Sequence, residues 1–165
     1  MKNLNCILSL LLLSIFFGCN SEEDTSTSQE NKQRNGILIF GWFSDSSCEG
    51  VCSDMYKLEN GKIYKDIDNT YPENTFLEGN FQLINNADYE DFESLILELP
   101  KEIFNEPNGY LDCSDCTNDN GGFYLEFKSE DGLKNSWRFR NALFPNYIEN
   151  YRSLLLDKLA ELNSL

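Results

Sequence analysis

Four cysteines in two short spacings are the residues of this chain with the clearest capacity for chemistry. Cys48 and Cys52 form a Cys-x3-Cys pair, and Cys113 and Cys116 form a Cys-x2-Cys pair. Four thiols at such spacings can close two disulfides, or they can bind one tetrahedral zinc ion as thiolates. Disulfides are the prediction if the protein is exported, because thiols are oxidised outside the cytoplasm. Spacing does not decide among the three possible pairings, of which the local one pins two loops and the crossed ones tie distant parts of the chain together.

The second pair lies in a loop crowded with oxygen ligands. Asp112, Asp115 and Asp119 fall within it, and Glu126 is the twelfth residue counted from Asp115. This spacing is similar to an EF-hand calcium loop, but the sixth position is Asn120 rather than glycine. A turn rich in Asn, Asp and Gly is therefore the preferred interpretation. The three aspartates remain the alternative metal ligands, and no cofactor is predicted.

Composition excludes several chemistries. The 165 residues contain no histidine, which removes Ser-His-Asp and Cys-His catalysis and the commonest nitrogen metal ligand. Thirteen Lys and Arg against 28 Asp and Glu give a net charge of −15, which disfavours binding to nucleic acid phosphates. No catalytic residue is predicted, and we expect a protein that is not an enzyme. Most aromatic side chains are assigned to the core, although Trp42 and Tyr124 alternate away from core neighbours and either could be exposed.

The first 18 residues have the pattern of a signal peptide. Lys2 supplies a positive start, and residues 4–17 form an apolar run that is short for a membrane-spanning helix. The run ends in Gly18-Cys19, which resembles the lipobox of bacterial lipoproteins, in a looser form found in the Bacteroidota. The resemblance implies cleavage before Cys19 and acylation of that residue with chains such as palmitate, which would anchor the protein to a membrane.

The residues after Cys19 form a predicted tether. Residues 20–35 contain no apolar side chain, so segment 19–35 is expected to be a disordered, lipidated tether and 36–165 a single domain. Glu22-Glu23-Asp24 resembles the acidic export signal of Bacteroidota surface lipoproteins. The resemblance implies attachment to the outer membrane at the cell surface, with the periplasmic face as the alternative.

The elements of the domain follow from periodicity. Strands are predicted at 36–43, 55–58, 62–67, 81–84, 123–128 and 133–140. Asn60-Gly61 between two alternating runs predicts a hairpin with a type I′ turn. Two amphipathic helices are predicted. The first starts at Asn85 or Asn86 and stops at Pro100, and the second opens with a capping-box variant at Asn146. Their apolar faces are predicted to be Tyr89, Phe92, Ile96 and Leu99 in the first, and Ile148, Tyr151, Leu155, Leu159 and Leu162 in the second.

These elements predict an α+β domain, in which two hairpins build an antiparallel sheet and two amphipathic helices pack on one face. The stretch Cys48-Glu-Gly50-Val-Cys52, followed by Tyr56, Leu58, Gly61 and Tyr64, resembles the Cys-x-Gly-x-Cys hairpin of small Bacteroidota lipoproteins without an established activity. If that motif recurs without a second cysteine pair, the resemblance favours local pairing of Cys48 with Cys52.

Three functions are compatible with these features. The leading prediction is a lipid-anchored, non-catalytic module that binds a protein or glycan partner, or serves an assembly, at the outer membrane. The second is an inhibitor or immunity-type protein, because small acidic proteins can block a basic partner electrostatically. The third is a metal-binding structural domain.

Overall fold

A central strand buried on both sides organises the computed structural model, which describes residues 36–45, 47–73, 75–111, 121–140 and 142–165. Strand β1 (Gly36–Phe43) pairs antiparallel with β2 (Ser53–Glu59) on one side and with β6 (Gly122–Ser129) on the other. Its sequence is apolar at nearly every position because both faces of the strand are covered. The buried strand predicted at 36–43 is therefore confirmed.

Two hairpins flank the central strand, as the alternating runs predicted. In the first, β2 joins β3 (Lys62–Asp66) through Asn60 and Gly61, whose φ angles of 52° and 69° are those of a type I′ turn. In the second, β6 joins β7 (Lys134–Phe139).

The predicted sheet architecture is wrong in its extent and in its strand directions. Among the described residues, the sheet has seven strands in the order β4-β3-β2-β1-β6-β7-β5, with β4 (Phe81–Leu83) and β5 (Gly109–Tyr110) at its edges. Because β5 runs parallel to β7, the sheet is mixed rather than antiparallel. A two-residue strand is too short to show an alternation of polar and apolar residues in the sequence. Strand β5 is defined only by its hydrogen-bonded pairing with β7.

The first predicted helix is broken into short pieces. A 3-10 helix spans Tyr89–Asp91, α1 spans only Ser94–Leu97, and a second 3-10 helix spans Lys101–Asn105. The cap is Asp88, whose carboxylate accepts the Glu90 N–H at 3.1 Å, rather than an asparagine. Acidic side chains three residues apart repel each other here, and so short a segment depends on tertiary packing.

The second helix agrees closely with its predicted apolar face. Helix α2 (Glu149–Leu162) follows a 3-10 turn at Asn146–Ile148, and no side-chain cap bond is made at its start, contrary to the predicted capping box. The five predicted face residues are all buried: Ile148, Tyr151, Leu155, Leu159 and Leu162. They share one core with α1 and with the sheet face that carries Leu38, Phe40, Tyr56, Leu125 and Trp137.

The opposite face of the sheet is covered by a loop rather than by a helix. Segment 67–80, here called the cover segment, contributes Tyr71 and Leu77 to a second apolar cluster with Ile39, Met55 and Tyr124. Its residue 74 is not among those described. Within the described residues, no helix is long and apolar enough to cross a membrane.

Candidate functional site

The β1–β2 connection carries a disulfide. Cys48 and Cys52 are bonded, with their Cα atoms 5.7 Å apart, and they are four positions apart in the sequence. This is the local pairing alternative for these two cysteines. Both sulfurs are therefore unavailable as thiolates for a four-cysteine zinc site.

The remaining predicted site residues fall in parts of the chain that the structure does not describe. They are Cys19, Asp112, Cys113, Asp115, Cys116 and Asp119. Their lipidation, disulfide or metal-binding roles stay predictions. In the described ranges, no three or more Cys, Asp and Glu side chains are grouped in a way that could hold a metal ion.

Glu126, considered above as a twelfth calcium-loop residue, lies in β6 and holds the cover segment. Its Oε2 accepts the Leu77 backbone N–H at 2.8 Å and the Tyr124 hydroxyl at 2.5 Å, while Lys134 Nζ lies 3.0 Å from Oε1. Burial raises the pKa of Tyr124, and the Glu126 charge raises it further, so this hydroxyl stays protonated and donates. Tyr124, one of the two aromatic residues whose alternation suggests exposure, is fully buried.

Other polar side chains on this face also bind the cover segment through its backbone. Arg138 Nη2 donates to Pro72 O at 2.7 Å, and the Ser136 hydroxyl donates to Thr75 O. Asp66 accepts the N–H groups of Thr70 and Asn80 at 2.5 and 2.7 Å. A loop that lies on a sheet has no neighbouring strand to pair its backbone N–H and C=O groups, so these side chains supply the hydrogen-bond partners. This buried polar set is structural.

A second polar set lies on the helix-covered face, at the C-terminal end of α2. The Tyr56 hydroxyl oxygen lies 2.9 Å from Asp54 Oδ2 and 2.9 Å from the Asn163 side-chain amide. The Asn163 atom is Oδ1, so Asp54 and Asn163 are both acceptors for the single Tyr56 proton, and Lys65 Nζ donates to the Tyr56 oxygen at 3.3 Å. Lys65 Nζ forms an ion pair with Asp54 Oδ1 at 2.9 Å. Burial, with the adjacent Asp54 charge, raises the pKa of Tyr56.

Asn163 also borders an open concavity of about 650 Å³ between the end of β1 and α2. We call it the Trp42 groove, after the aromatic side chain that borders it at the end of β1. The described lining residues are Trp42, Phe43, Ser44, Asp45, Gly121, Gly122, Phe123, Leu156, Leu159, Ala160 and Asn163. Phe43, Phe123 and Leu159 are buried, whereas Asp45, Leu156, Ala160 and Asn163 are exposed.

Local backbone contacts shape one wall of this groove. A Cβ atom on Gly121 would lie 2.8 Å from Phe43 O and 3.0 Å from Asp45 N, so the two chain segments approach closely only because this residue is glycine. Asp45 Oδ1 accepts the Ser47 N–H at 2.9 Å, and the Ser47 hydroxyl also donates to it. These two bonds lower the pKa of Asp45, so its carboxylate is anionic at neutral pH.

Sequence reasoning identified one member of the groove and missed the others. Trp42, whose alternation predicts a possible exception to the core, is partly buried at the groove wall. Three groove residues recur at helical spacing beside the buried face of α2: Leu156, Ala160 and Asn163. The available signal in the sequence was Leu156, an apolar residue that does not belong to the predicted buried face. Asp45 gave no signal, because its position depends on the approach of Gly121.

A smaller concavity of about 550 Å³ lies at the other end of the sheet, near Gly36, Tyr89, Lys128 and Glu130. It combines opposite charges and turn backbone with one aromatic and one aliphatic side chain, Tyr89 and Ile37, whereas apolar side chains make up more of the lining of the Trp42 groove. The Trp42 groove is therefore the better candidate for ligand binding. No protein-family model, curated protein or solved structure matches this chain significantly.

Proposed function

We propose that this chain is an exported bacterial lipoprotein, anchored to the outer membrane at the cell surface through lipid on Cys19. Its domain, 36–165, would bind a protein or glycan partner without catalysis, using the Trp42 groove. The observation that carries the binding part of the proposal is the position of this groove relative to the start of the domain.

The predicted tether and the Trp42 groove meet opposite ends of β1. The tether would enter the domain at Gly36, whereas Trp42 is six residues further along the same strand. At the rise of an extended strand, this separation is about 20 Å. A tether of the predicted length would reach roughly 20–25 Å as a flexible coil. Attachment at Gly36 therefore leaves the groove accessible to a partner.

A binding role, rather than catalysis, is supported by what the buried acids do. The oxygens of Asp66 and Glu126 accept backbone N–H groups of the cover segment, and Asp54 is engaged by Tyr56 and Lys65. Carboxylates committed in this way position the chain instead of moving protons. Turnover in a broad hydrolase screen that is abolished by mutation of groove residues would contradict this part of the proposal.

Lipid anchoring is tested by Cys19→Ser in the full chain, expressed in a lipoprotein-processing bacterium. We expect wild-type protein to partition with membranes and to carry an acyl mass on its N-terminal residue, and the variant to lose both. Cys6→Ser is the matched control, because it makes the same chemical change inside the predicted signal peptide. An unmodified Cys19 in membrane-free wild-type protein would overturn the anchor.

The membrane face is tested by replacing Glu22-Glu23-Asp24 with Gln-Gln-Asn. We expect wild-type protein on intact cells to be cleaved by added protease, and the neutral variant to become protected while still lipidated. Protection of the wild type would instead place it on the periplasmic face.

The binding role is tested with immobilised domain and extracts of the producing cell envelope. We expect Trp42→Ala to lose a partner that both wild type and Leu133→Ala retain, since Leu133 is a 61% exposed residue outside the groove. Identical capture by all three proteins would contradict the groove as the binding surface. A single basic enzyme that is captured and loses activity would identify the protein as an inhibitor.

A further inference from the structure

We propose that the Trp42 groove binds a cationic group, the guanidinium or ammonium of an arginine or lysine side chain on a partner protein. This inference rests on the proposed function, because it assigns a ligand class to the same groove. It is carried by the charge and the side-chain types of the described lining residues.

The charge of the lining is negative. Among the described lining residues, Asp45 is the one with a formal charge, and its exposed carboxylate is anionic at neutral pH. Two cations lie near the lining: Lys65, which is paired with Asp54 at 2.9 Å, and Arg152, whose guanidinium lies 5.8 Å from the centroid of the Phe123 ring. The whole chain carries a net charge of −15, so long-range attraction also favours a basic partner.

The end of α2 adds to this potential. The helix runs for 14 residues to Leu162 and has no basic residue in its last turn. The aligned peptide dipoles place a partial negative charge at such a C-terminus. Asn163, which follows directly, lines the groove. A cation in the groove would therefore lie near both Asp45 and a negative helix end.

The apolar part of the groove fits the rest of an arginine or lysine side chain. Trp42 offers an aromatic ring, which attracts a cation through its negative face. Leu156, which is 37% exposed, and Ala160 provide an aliphatic wall for the methylene stem. A neutral sugar would stack on the ring and donate a hydroxyl to Asp45, but it has no charge through which the net charge of −15 would attract it.

The test is a titration of full-length, ¹⁵N-labelled protein with the peptide acetyl-Gly-Arg-Gly-Arg-Gly-amide. The control ligand is the same peptide with citrulline in place of arginine, which has nearly the same shape but no charge. The chain has two tryptophans, so two indole N–H signals report on the groove at Trp42 and on the core at Trp137. We expect saturable shifts of Trp42 alone with the arginine peptide and no saturation with citrulline.

Two charge variants complete the test. Asp45→Asn retains an oxygen that can accept from Ser47 but removes the charge, and we expect about two- to five-fold weaker binding of the arginine peptide. Glu130→Gln removes a charge at the other end of the sheet, and we expect unchanged affinity. Equal weakening by both variants would mean general electrostatics and would overturn the assignment to the groove.

Other outcomes separate this inference from the proposed function. Equal binding of the citrulline peptide, or saturation of Trp42 by maltohexaose but not by the arginine peptide, would overturn the cationic ligand while leaving a binding groove. Absence of any Trp42 shift by the arginine peptide up to about 10 mM would also overturn the inference. Trp42-dependent capture from the envelope would then still support the proposed function.

Discussion

Glu126 and Leu77, 49 residues apart in the chain, are joined by a hydrogen bond of 2.8 Å from the Leu77 backbone N–H to the Glu126 carboxylate. This bond links strand β6, in which Glu126 pairs with Ser136 of β7, to the cover segment. The face of the sheet opposite the helices is thus held closed by side-chain-to-backbone bonds. Glu126 and Asp66 supply carboxylates for those bonds.

Glu126→Gln should lower the free energy of unfolding by about 1–3 kcal/mol. The amide oxygen can still accept the Leu77 N–H, but the ion pair with Lys134 is lost and an NH2 group is left in the buried site. Chemical denaturation measures the change. The control Glu130→Gln alters an exposed turn residue and should stay within about 0.5 kcal/mol of wild type. Equal stability of the two variants would mean that Glu126 does not hold the cover segment.

Asp66→Asn should also destabilise the fold by about 1–3 kcal/mol. Asp66 uses two oxygens for the N–H groups of Thr70 and Asn80, and asparagine offers only one acceptor, so one buried N–H would face another donor. Amide hydrogen exchange at residues 70 and 80 should accelerate most. Asp68→Asn, at an exposed position in the same segment, is the control and should leave exchange unchanged. Unaltered exchange in Asp66→Asn would contradict the bonding described here.

The alkaline limit of stability should depend on Tyr151. Burial raises the pKa of its hydroxyl, as does the charge of Glu98, and the hydroxyl donates to Leu95 O at 2.8 Å. Unfolded tyrosine titrates near pH 10, so above that pH the unfolded state loses a proton that the folded state keeps. Stability should therefore fall as pH rises above about 10, by about 1.4 kcal/mol per pH unit from this residue.

Tyr151→Phe isolates that contribution. The variant should be less stable than wild type at neutral pH by about 1 kcal/mol, because the hydrogen bond is lost. Above pH 10 its stability should fall less steeply than that of the wild type. Denaturation curves at several pH values between 8 and 11 measure both effects, and parallel pH dependences would show that Tyr151 ionises normally in the folded state.

The disulfide makes a quantitative prediction about pairing. Replacement of both Cys48 and Cys52 by alanine should cost about 2 kcal/mol, the loop-entropy value for a closed loop of a few residues. Crossed pairing with the later cysteines would close much longer loops, and the same double replacement would then break both crossed bonds and should cost at least about 4 kcal/mol. Peptide mapping of unreduced protein gives the pairing directly. A peptide that links residue 48 or 52 to residue 113 or 116 would contradict the local disulfide.

Much of the local structure could be read from the sequence. Asn60-Gly61 specifies its own turn, because few residues adopt positive φ at low cost. The apolar spacing of α2 was sufficient because the helix is long enough for its periodicity to be clear. The first helix was predicted too long. Its predicted apolar face from Phe92 to Leu99 is buried as expected, but only Ser94–Leu97 is α-helical.

The candidate site was far less predictable, because it depends on contacts between distant segments. The alternation of Trp42 away from core neighbours indicates possible exposure, but the groove beside it exists only where Gly121 approaches Phe43 and α2 passes nearby. Asp66 and Glu126 could have been surface acids from sequence alone. The cover segment that buries them has no periodicity, so nothing local predicts where it lies.

The sequence by itself determined the order of the main elements, the hairpin turn, the buried face of α2 and the absence of histidine chemistry. These depend on interactions between near neighbours or on composition alone. The tertiary structure decided the mixed sheet, the two-residue parallel strand, the acids that hold the cover segment and the Trp42 groove. Each of these requires residues far apart in the chain to meet, and the free energy that selects such pairings is a property of the packed whole rather than of any local pattern.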